Sequence, residues 1–514
     1  MNRREFVALA GASAAARFCV PTFGQALPVG NGGTQQVSVE VDLGKITGDL
    51  PHFWEHCAGS DRAVVGLREQ WRKDLVRTRR DCGIRSVRFH GLFDDEMGIA
   101  THGAGNYNFL YVDQIYDFML DNGVRPFVEL SFMPEAFASS ANRIFSYRGN
   151  VSPPANWKDW HDMVQAFTAH CVKRYGAAEV AQWKFEVWNE PNLGFWAGTK
   201  EQYFELYRQS VLAVKSVDRR IPVGGPSTAM LAWVPDFIQF CASNSLPVDF
   251  VSTHIYPADP QAEIFGKDGM YPYEQVIPKG LAQVKRQIES SAMPHLPLLI
   301  TEWSSQNPAF IADTIRNCAG LVECMSYWTF SNVFEELGVP DTVFNDTFGL
   351  LDQYGIPRPS FHAMSLLHKL GDKQAKASGE SVIATTRPDG SAAVLLWNLV
   401  PESSSSAFAN GNPAASGAGA SGTRGAPIDF RLKLAGLDGR KQIRITQVDD
   451  STGTAIPAWK AMGKPASPSE EQIARLLAAA ELPEPKRHHV RSGNAEQLSI
   501  TLTPNGLVLL ELER

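Results

Sequence analysis

From about residue 50 the chain repeats one pattern: a short apolar run rich in β-branched or aromatic residues, then a stretch with apolar residues at helical spacing. Eight such runs can be read, at Phe53 to Ala58, Ser86 to His90, Pro126 to Phe132, Phe185 to Glu190, Val223 to Pro226, Phe250 to Tyr256, Leu298 to Trp303 and Met325 to Phe330. Between them the spacing predicts amphipathic helices such as Leu67 to Cys82, Tyr111 to Asn122, Trp157 to Tyr175 and Glu201 to Ser216. The second is stopped by Asn122-Gly123, a helix-ending signal. Eight strand–helix units over roughly 310 residues match a (β/α)8 TIM barrel, which needs about 250 plus loop insertions. An open doubly wound sheet would not require so regular a count. The chain is therefore read as α/β, with the barrel over residues 49–370.

Past Asp372 the rhythm changes. Val382 to Thr386 and Ala393 to Leu399 flank Asp389-Gly390, a strong hairpin signal, and alternating residues follow at Phe430, Leu432 and Leu434, at Ile443 and Ile445, and again from Leu498 to Leu502 and from Leu507 to Leu512. Few helix-sized intervals separate them, so 371–514 reads as an accessory C-terminal antiparallel β-sandwich. Val37, Val39 and Val41 alternate in the same way, and residues 27–48 are expected to add a strand to it. Two insertions interrupt this region. The Ser-, Ala- and Gly-rich stretch 403–425 is too poor in apolar residues to order itself and reads as a mobile loop. Ser467, as N-cap, with Pro468 at the first helical position and Glu470 closing a capping box, predicts a helix running through Ala480, read as a surface decoration.

A formal net charge of −7 provides no basic field, so nucleic acid is not an expected partner. No apolar run reaches the roughly 18 residues needed to span a bilayer, and no membrane association is expected. Asn2-Arg3-Arg4-Glu5-Phe6 precedes an Ala- and Gly-rich segment ending near Ala26. That reads as an export signal of the twin-arginine type over 1–26, placing the protein in the periplasm or outside the cell. Cys19 lies in that segment; the other six cysteines are scattered, without metal or redox spacing, and are expected to be buried free thiols. No phosphate loop, dinucleotide fingerprint or zinc motif is present, so no metal or cofactor is expected. Oligomeric state is not legible.

A TIM barrel gathers the carboxyl ends of its strands on one face. On this reading His90 ends the second strand, Phe132 the third, Asn189 and Glu190 the fourth, His254 and Tyr256 the sixth, Glu302 and Trp303 the seventh, and Trp328 lies on the eighth. Such a face is acidic, amide-bearing and aromatic, with two neutral imidazoles, and suits a neutral polyhydroxyl ring stacked on an aromatic wall. Glu190 and Glu302 close buried strands three units apart and face one opening, which suggests glycosidic cleavage by paired carboxyl groups. A separation of about 5–5.5 Å would mean retention through a covalent intermediate, and about 6.5–9.5 Å inversion. Each residue also has a plainer reading: a strand-end Glu paired with a loop Arg, a satisfied core histidine, a packing tryptophan.

Trp188-Asn189-Glu190-Pro191 on a fourth strand with Thr301-Glu302-Trp303 on a seventh resembles the clan A glycosidases. A wider set resembles glycoside hydrolase family 39, whose main bacterial activity is β-xylosidase. It comprises His90-Gly91-Leu92-Phe93-Asp94-Asp95, Arg125 to Glu129 with Phe132-Met133-Pro134, Phe195-Trp196, Val223 to Pro226, Val248 to Ser252, Ser326 to Ser331 and Val333-Phe334-Glu335-Glu336. The resemblance spans about Phe53 to His362. It implies a retaining double displacement with Glu190 as acid/base and Glu302 as nucleophile. Asn189 is then the expected donor to the sugar 2-hydroxyl and Tyr256 the group that holds the nucleophile. His90, Asp95, Phe132, Phe195, His254, Trp328, Glu335 and Glu336 are expected around the oligosaccharide. The expected activity is release of xylose from the non-reducing ends of xylo-oligosaccharides. The alternatives are the same machinery on a β-glucoside, β-galactoside, α-L-arabinoside or uronic acid glycoside, and, more remotely, a carbohydrate-binding protein without turnover.

Overall fold

The computed structural model describes residues 34–401 apart from 268 and 346, then 425–490 and 494–514. The export signal expected over 1–26 lies outside the described residues, as does all but Gly425 of the 403–425 insertion. Eight parallel strands close a barrel in chain order: Ala58–Arg62, Ser86–His90, Arg125–Leu130, Lys184–Val187, Val223–Thr228, Phe250–His254, Leu298–Trp303 and Cys324–Tyr327. Tyr327 opposite Ala58 makes the closing pair. A helix follows each strand, the first Glu69–Cys82 and the last Pro359–His368.

The first strand is displaced from the expectation. The third, fourth, sixth and eighth end two or three residues early, at Leu130, Val187, His254 and Tyr327, and the fifth runs two further, to Thr228. Phe53–Glu55 is a buried 3-10 turn, and the first strand begins only at Ala58. That strand is polar yet wholly buried, because its side chains have partners: Trp71 Nε1 donates to Ser60 Oγ at 2.8 Å, and the Glu335 amide donates to Asp61 Oδ2 at 2.8 Å. Apolar content therefore marked the wrong segment. The fourth strand ends at Val187 rather than Glu190, because Trp188 takes a left-handed φ of 70° three residues before Pro191.

Side chains two apart on a strand point the same way, so the barrel interior is layered. Phe127, Phe250, Leu299 and Cys324, with Cys57, form an apolar plug. Two residues further along their strands stand Glu129 and Thr301, joined in the same network by Arg88 and Glu186. Charge thus occupies a level that branched apolar residues usually fill.

The accessory region is one nine-stranded sheet curved as a half-barrel. Its order is Lys486–His489, Gln442–Val448, Leu507–Glu513, Ala392–Trp397, Val382–Thr386, Lys373–Ala377, Gln35–Asp49, Ile428–Ala435, Ala495–Leu502. Pairing is antiparallel throughout except between Gln35–Asp49 and Ile428–Ala435, which run parallel. Strand periodicity divides its central strands between two cores. Val394, Leu396, Val508 and Leu510 face the sheet's own interior, while Ala393, Leu395, Trp397, Leu507 and Leu509 join the core of the barrel.

The helix Glu470–Ala480 is capped by Ser469, not Ser467, in a capping box with Gln472. Ser469-x-x-Gln472 satisfies the same motif two residues later and leaves Pro468 ahead of the cap. Nor is the helix mere decoration: Leu476 and Ala480 are buried with Ile356, and the His362 imidazole lies 2.7 Å from the Ala480 carbonyl. All six cysteines among the described residues are free and buried. No helix among them is long and apolar enough to cross a membrane.

Candidate active site

The upper barrel interior is organised by a residue that strand-end positions did not reveal. Arg88, fully buried, donates from Nε to Glu186 Oε2 at 2.5 Å, from Nη1 to Glu302 Oε1 at 3.0 Å, and from Nη2 to Asn189 Oδ1 at 3.0 Å. Nη2 also lies 2.8 Å from Glu129 Oε2. Arg88 precedes His90 by two residues on the second strand, so both point inward. A basic residue in Ser86-Val87-Arg88-Phe89-His90 and acids inside the runs carrying Glu129 and Glu186 were the available signals.

Glu302 receives donors on both oxygens: Arg88 on Oε1, and the Tyr256 hydroxyl on Oε2 at 2.8 Å. Hydrogen bonds from a cation and a phenol favour a carboxylate over a carboxylic acid. Glu190 sits just beyond the fourth strand on a left-handed turn, with φ of 42°, its amide donating to the Ser227 carbonyl at 2.8 Å. A non-glycine residue held at positive φ persists only where its surroundings enforce it. His254 Nδ1 lies 3.0 Å from Glu190 Oε1 and 3.6 Å from Glu302 Oε1. One carboxylate oxygen from each glutamate and a nitrogen of His254 all fall within 4.8 Å of one another.

The remaining sequence candidates fall into three groups. Asn189, Tyr256, His254 and His90 join Glu190 and Glu302 in one buried cluster. Because Arg88 engages the amide oxygen of Asn189, its NH2 is the end left for other partners. Phe132 and Trp328 flank His90, with ring centroids 5.9 and 4.7 Å away. Trp328 lies flat against the first strand at Gly59, where an added Cβ would stand 2.2 Å from indole Cε3. Phe195 reaches this wall through Phe145, which stacks on His90.

Glu336 and Glu335 part company. The Glu336 carboxylate stands 3.5 Å from His90 Nε2, whereas Glu335 is clamped by Arg68 and by Arg62 Nη1 at 3.0 Å. Asp95 stands apart: it is exposed and accepts the Glu135 amide at 3.2 Å.

The expected neutral imidazoles need one correction. Burial opposes charge on His90, but Glu129, then Glu336 and Glu302, outweigh it and push the ring up to about 10. His90 is therefore an imidazolium at neutral pH. Asp61, beneath Glu335, is pushed up to about 8 by burial and by Glu336, against the pull of Arg62 and His90.

Comparison with known proteins agrees with this architecture. The family described as Glycosyl hydrolases family 39 matches residues 37–496. The chain is similar to a beta-xylosidase of Caldicellulosiruptor saccharolyticus, 34% identical over 93% of this chain and 98% of that one. A beta-xylosidase of Geobacillus stearothermophilus is 35% identical over 90% and 92%. Among solved structures, the GH39 enzyme from Xanthomonas axonopodis pv. citri superposes with a TM-score of 0.84 at 31% identity, covering 95% of this chain and 99% of that one.

Two outcomes follow from the charge network. Arg88→Lys replaces a three-nitrogen fork by a point charge and leaves buried carboxylates unpaired, which is expected to cost about 3–5 kcal/mol in denaturant unfolding. A loss below about 1 kcal/mol would show that the fork is not what holds the carboxylates. His90 and Asp61 hold protons more tightly folded than unfolded, so their stabilisation is lost as pH rises. For Asp61 the window runs from its ordinary 3.8 to about 8, and for His90 from 6.5 to about 10. The thermal midpoint should therefore fall between pH 6.5 and about 10, less steeply in His90→Gln; identical slopes would refute the assignment.

Proposed function

The chain belongs to glycosyl hydrolases family 39, and we propose that it is a retaining, exo-acting β-xylosidase releasing xylose from the non-reducing ends of β-1,4-xylo-oligosaccharides. The enzyme is a glycoside hydrolase; the sugar and the stereochemical course are the proposal. The observation that carries it is the approach of the Glu190 and Glu302 carboxyl groups, whose oxygens come within 4.8 Å. That spacing suits direct attack on carbon better than the wider gap, about 6.5–9.5 Å, that must admit a water.

In the first step a Glu302 oxygen attacks the anomeric carbon while Glu190 gives its proton to the departing glycosidic oxygen. The C–O bond to the leaving sugar breaks as the glycosyl ester to Glu302 forms. Esterification removes the negative charge beside Glu190, which can then ionise. As a carboxylate it takes a proton from water, and the resulting hydroxyl displaces Glu302 with net retention. Arg88 and Tyr256 hold Glu302 for attack and receive its charge again on departure. His254, bonded to Glu190 and near Glu302, couples the two protonation states. The Asn189 NH2 is placed to meet the 2-hydroxyl, a bond that strengthens towards the transition state.

A neutral pyranose is favoured over a uronic acid glycoside because a substrate carboxylate would need a cation of its own. Arg88, Arg62 and Arg68 already face acidic partners. The Arg3-Arg4 start supports action on sugars outside the cytoplasm.

Glu302→Ala is expected to abolish turnover, whereas Glu190→Ala should lose about 10²–10⁴-fold on xylobiose. On aryl xylosides with good leaving groups Glu190→Ala should lose far less, and added azide should accelerate it to a β-glycosyl azide. Near-wild-type hydrolysis of an aryl xyloside by Glu302→Ala would sink the assignment. Gly59→Ala must displace Trp328, and a roughly threefold to tenfold rise in KM is expected if that ring is the sugar wall; an unaltered KM would make Trp328 packing only.

A further inference from the structure

Beside Phe132 the chain turns through a small hairpin, Arg143–Ile144 paired with Gly149–Asn150, and its tip roofs a cavity of about 250 Å³. Neither Glu190 nor Glu302 lines it. Most of its charged lining is already paired. Arg143 Nε donates to Glu135 Oε1 at 2.5 Å, Asn150 Nδ2 approaches the same oxygen at 3.2 Å, and Glu96 is held by Arg62. Two groups are left over. The Asp94 carboxyl, in a residue only 5% exposed, meets no protein donor closer than the poorly aligned Phe132 amide, and the hydroxyl of Tyr147 is buried without a hydrogen-bond partner. Unpaired buried polar groups are costly, and two in one cavity call for an occupant that pairs with both.

Gly149 brings the pair together. A Cβ there would stand 2.9 Å from Phe132 Cδ2, 3.3 Å from Tyr147 Cε2 and 3.5 Å from Asp94 Oδ1, so the space exists only because the residue is glycine. The chemistry of the walls narrows the occupant. An anion would meet four acids, Asp94, Asp95, Glu96 and Glu135. Of the two arginines in the lining, Arg143 is already held by Glu135, and only the exposed Arg148 is left to offset them. Burial, with Glu96 and Asp95 nearby, pushes the Asp94 carboxyl up to about 8, against the Phe132 amide and Arg62. Near neutrality it is therefore a neutral acid, able to donate and to accept, as a hydroxyl partner must. The volume lies below the roughly 300–1,000 Å³ of sites for drug-sized ligands and suits one sugar ring.

We infer that this cavity is a second sugar site, in which Asp94 and Tyr147 bind hydroxyls of one neutral pyranose. The inference rests on the xylosidase reading for the identity of that sugar. Two sources supply the same chemistry: the leaving end of a xylo-oligosaccharide, or free xylose.

The test compares wild type with Tyr147→Phe, which removes one oxygen, and Asp94→Asn, which keeps the shape. Steady-state kinetics are measured on an aryl xyloside, on xylotriose, and on the aryl xyloside with added xylose. Both variants should leave kcat and KM for the aryl xyloside unchanged. If the leaving sugar fills the cavity, KM for xylotriose rises about threefold to tenfold, the factor of one hydrogen bond. If free xylose fills it, xylotriose is unaffected and the concentration at which xylose alters aryl xyloside turnover shifts by that factor. No change in either arm, in both variants, means the cavity holds water only and overturns the inference. Absence of wild-type turnover on xylosides is a separate result that defeats the functional reading instead.

Discussion

One guanidinium holds the upper barrel together. Arg88 meets Glu129, Glu186 and Glu302 from the third, fourth and seventh strands, and Asn189 beyond the fourth. Buried carboxylates without such a partner would neutralise or force the strands apart. Arginine suits the position because its planar fork assigns a different nitrogen to each acid, so one side chain sets several orientations at once. The same contact that anchors Glu302 thereby determines which end of the Asn189 amide faces the pocket.

Where Arg88 fixes the nucleophile, the backbone fixes the acid. Trp188, Glu190 and Ser227 all adopt left-handed conformations, and the Glu190 amide binds the Ser227 carbonyl, tying the end of the fourth strand to the fifth. Asn192 secures the same junction by donating to the Ala229 carbonyl at 3.0 Å and accepting its amide at 2.8 Å. The strain of these conformations is held by two strands rather than by one loop. A proton donor mounted this way has its distance to the opposing carboxylate set by the barrel strands and not by a loop.

The eight strand–helix units of the barrel were legible because they depend on local pattern, apolar strands and helical spacing. The meeting of Glu190 and Glu302 was legible because each lies at or just past the carboxyl end of its strand. Arg88 was harder to read because its local signal, a basic residue inside a strand, does not name its partners, which arrive from strands far along the chain. The first strand was misplaced for the converse reason, since Ser60, Asp61 and Arg62 carry no apolar signal and depend on tertiary partners. The charge on His90 follows from three carboxylates that only the closed barrel assembles. Glu335 and Glu336, neighbours of identical chemistry, could be told apart only by what stands opposite each.

The N-terminal strand Gln35–Asp49 lies inside the accessory sheet, between Lys373–Ala377 and Ile428–Ala435. It is synthesised ahead of the barrel, yet both its neighbours are made only after the whole barrel. For that interval a strand with one apolar face, Val39, Val41 and Leu43, and two unsatisfied edges must wait, the condition under which strands pair with the wrong chain. Its outer residues offer some protection, because Glu40, Lys45 and Asp49 interrupt the edge with charge. The order of synthesis therefore makes the half-barrel the last part of the molecule to close, once both partners of Gln35–Asp49 have been made.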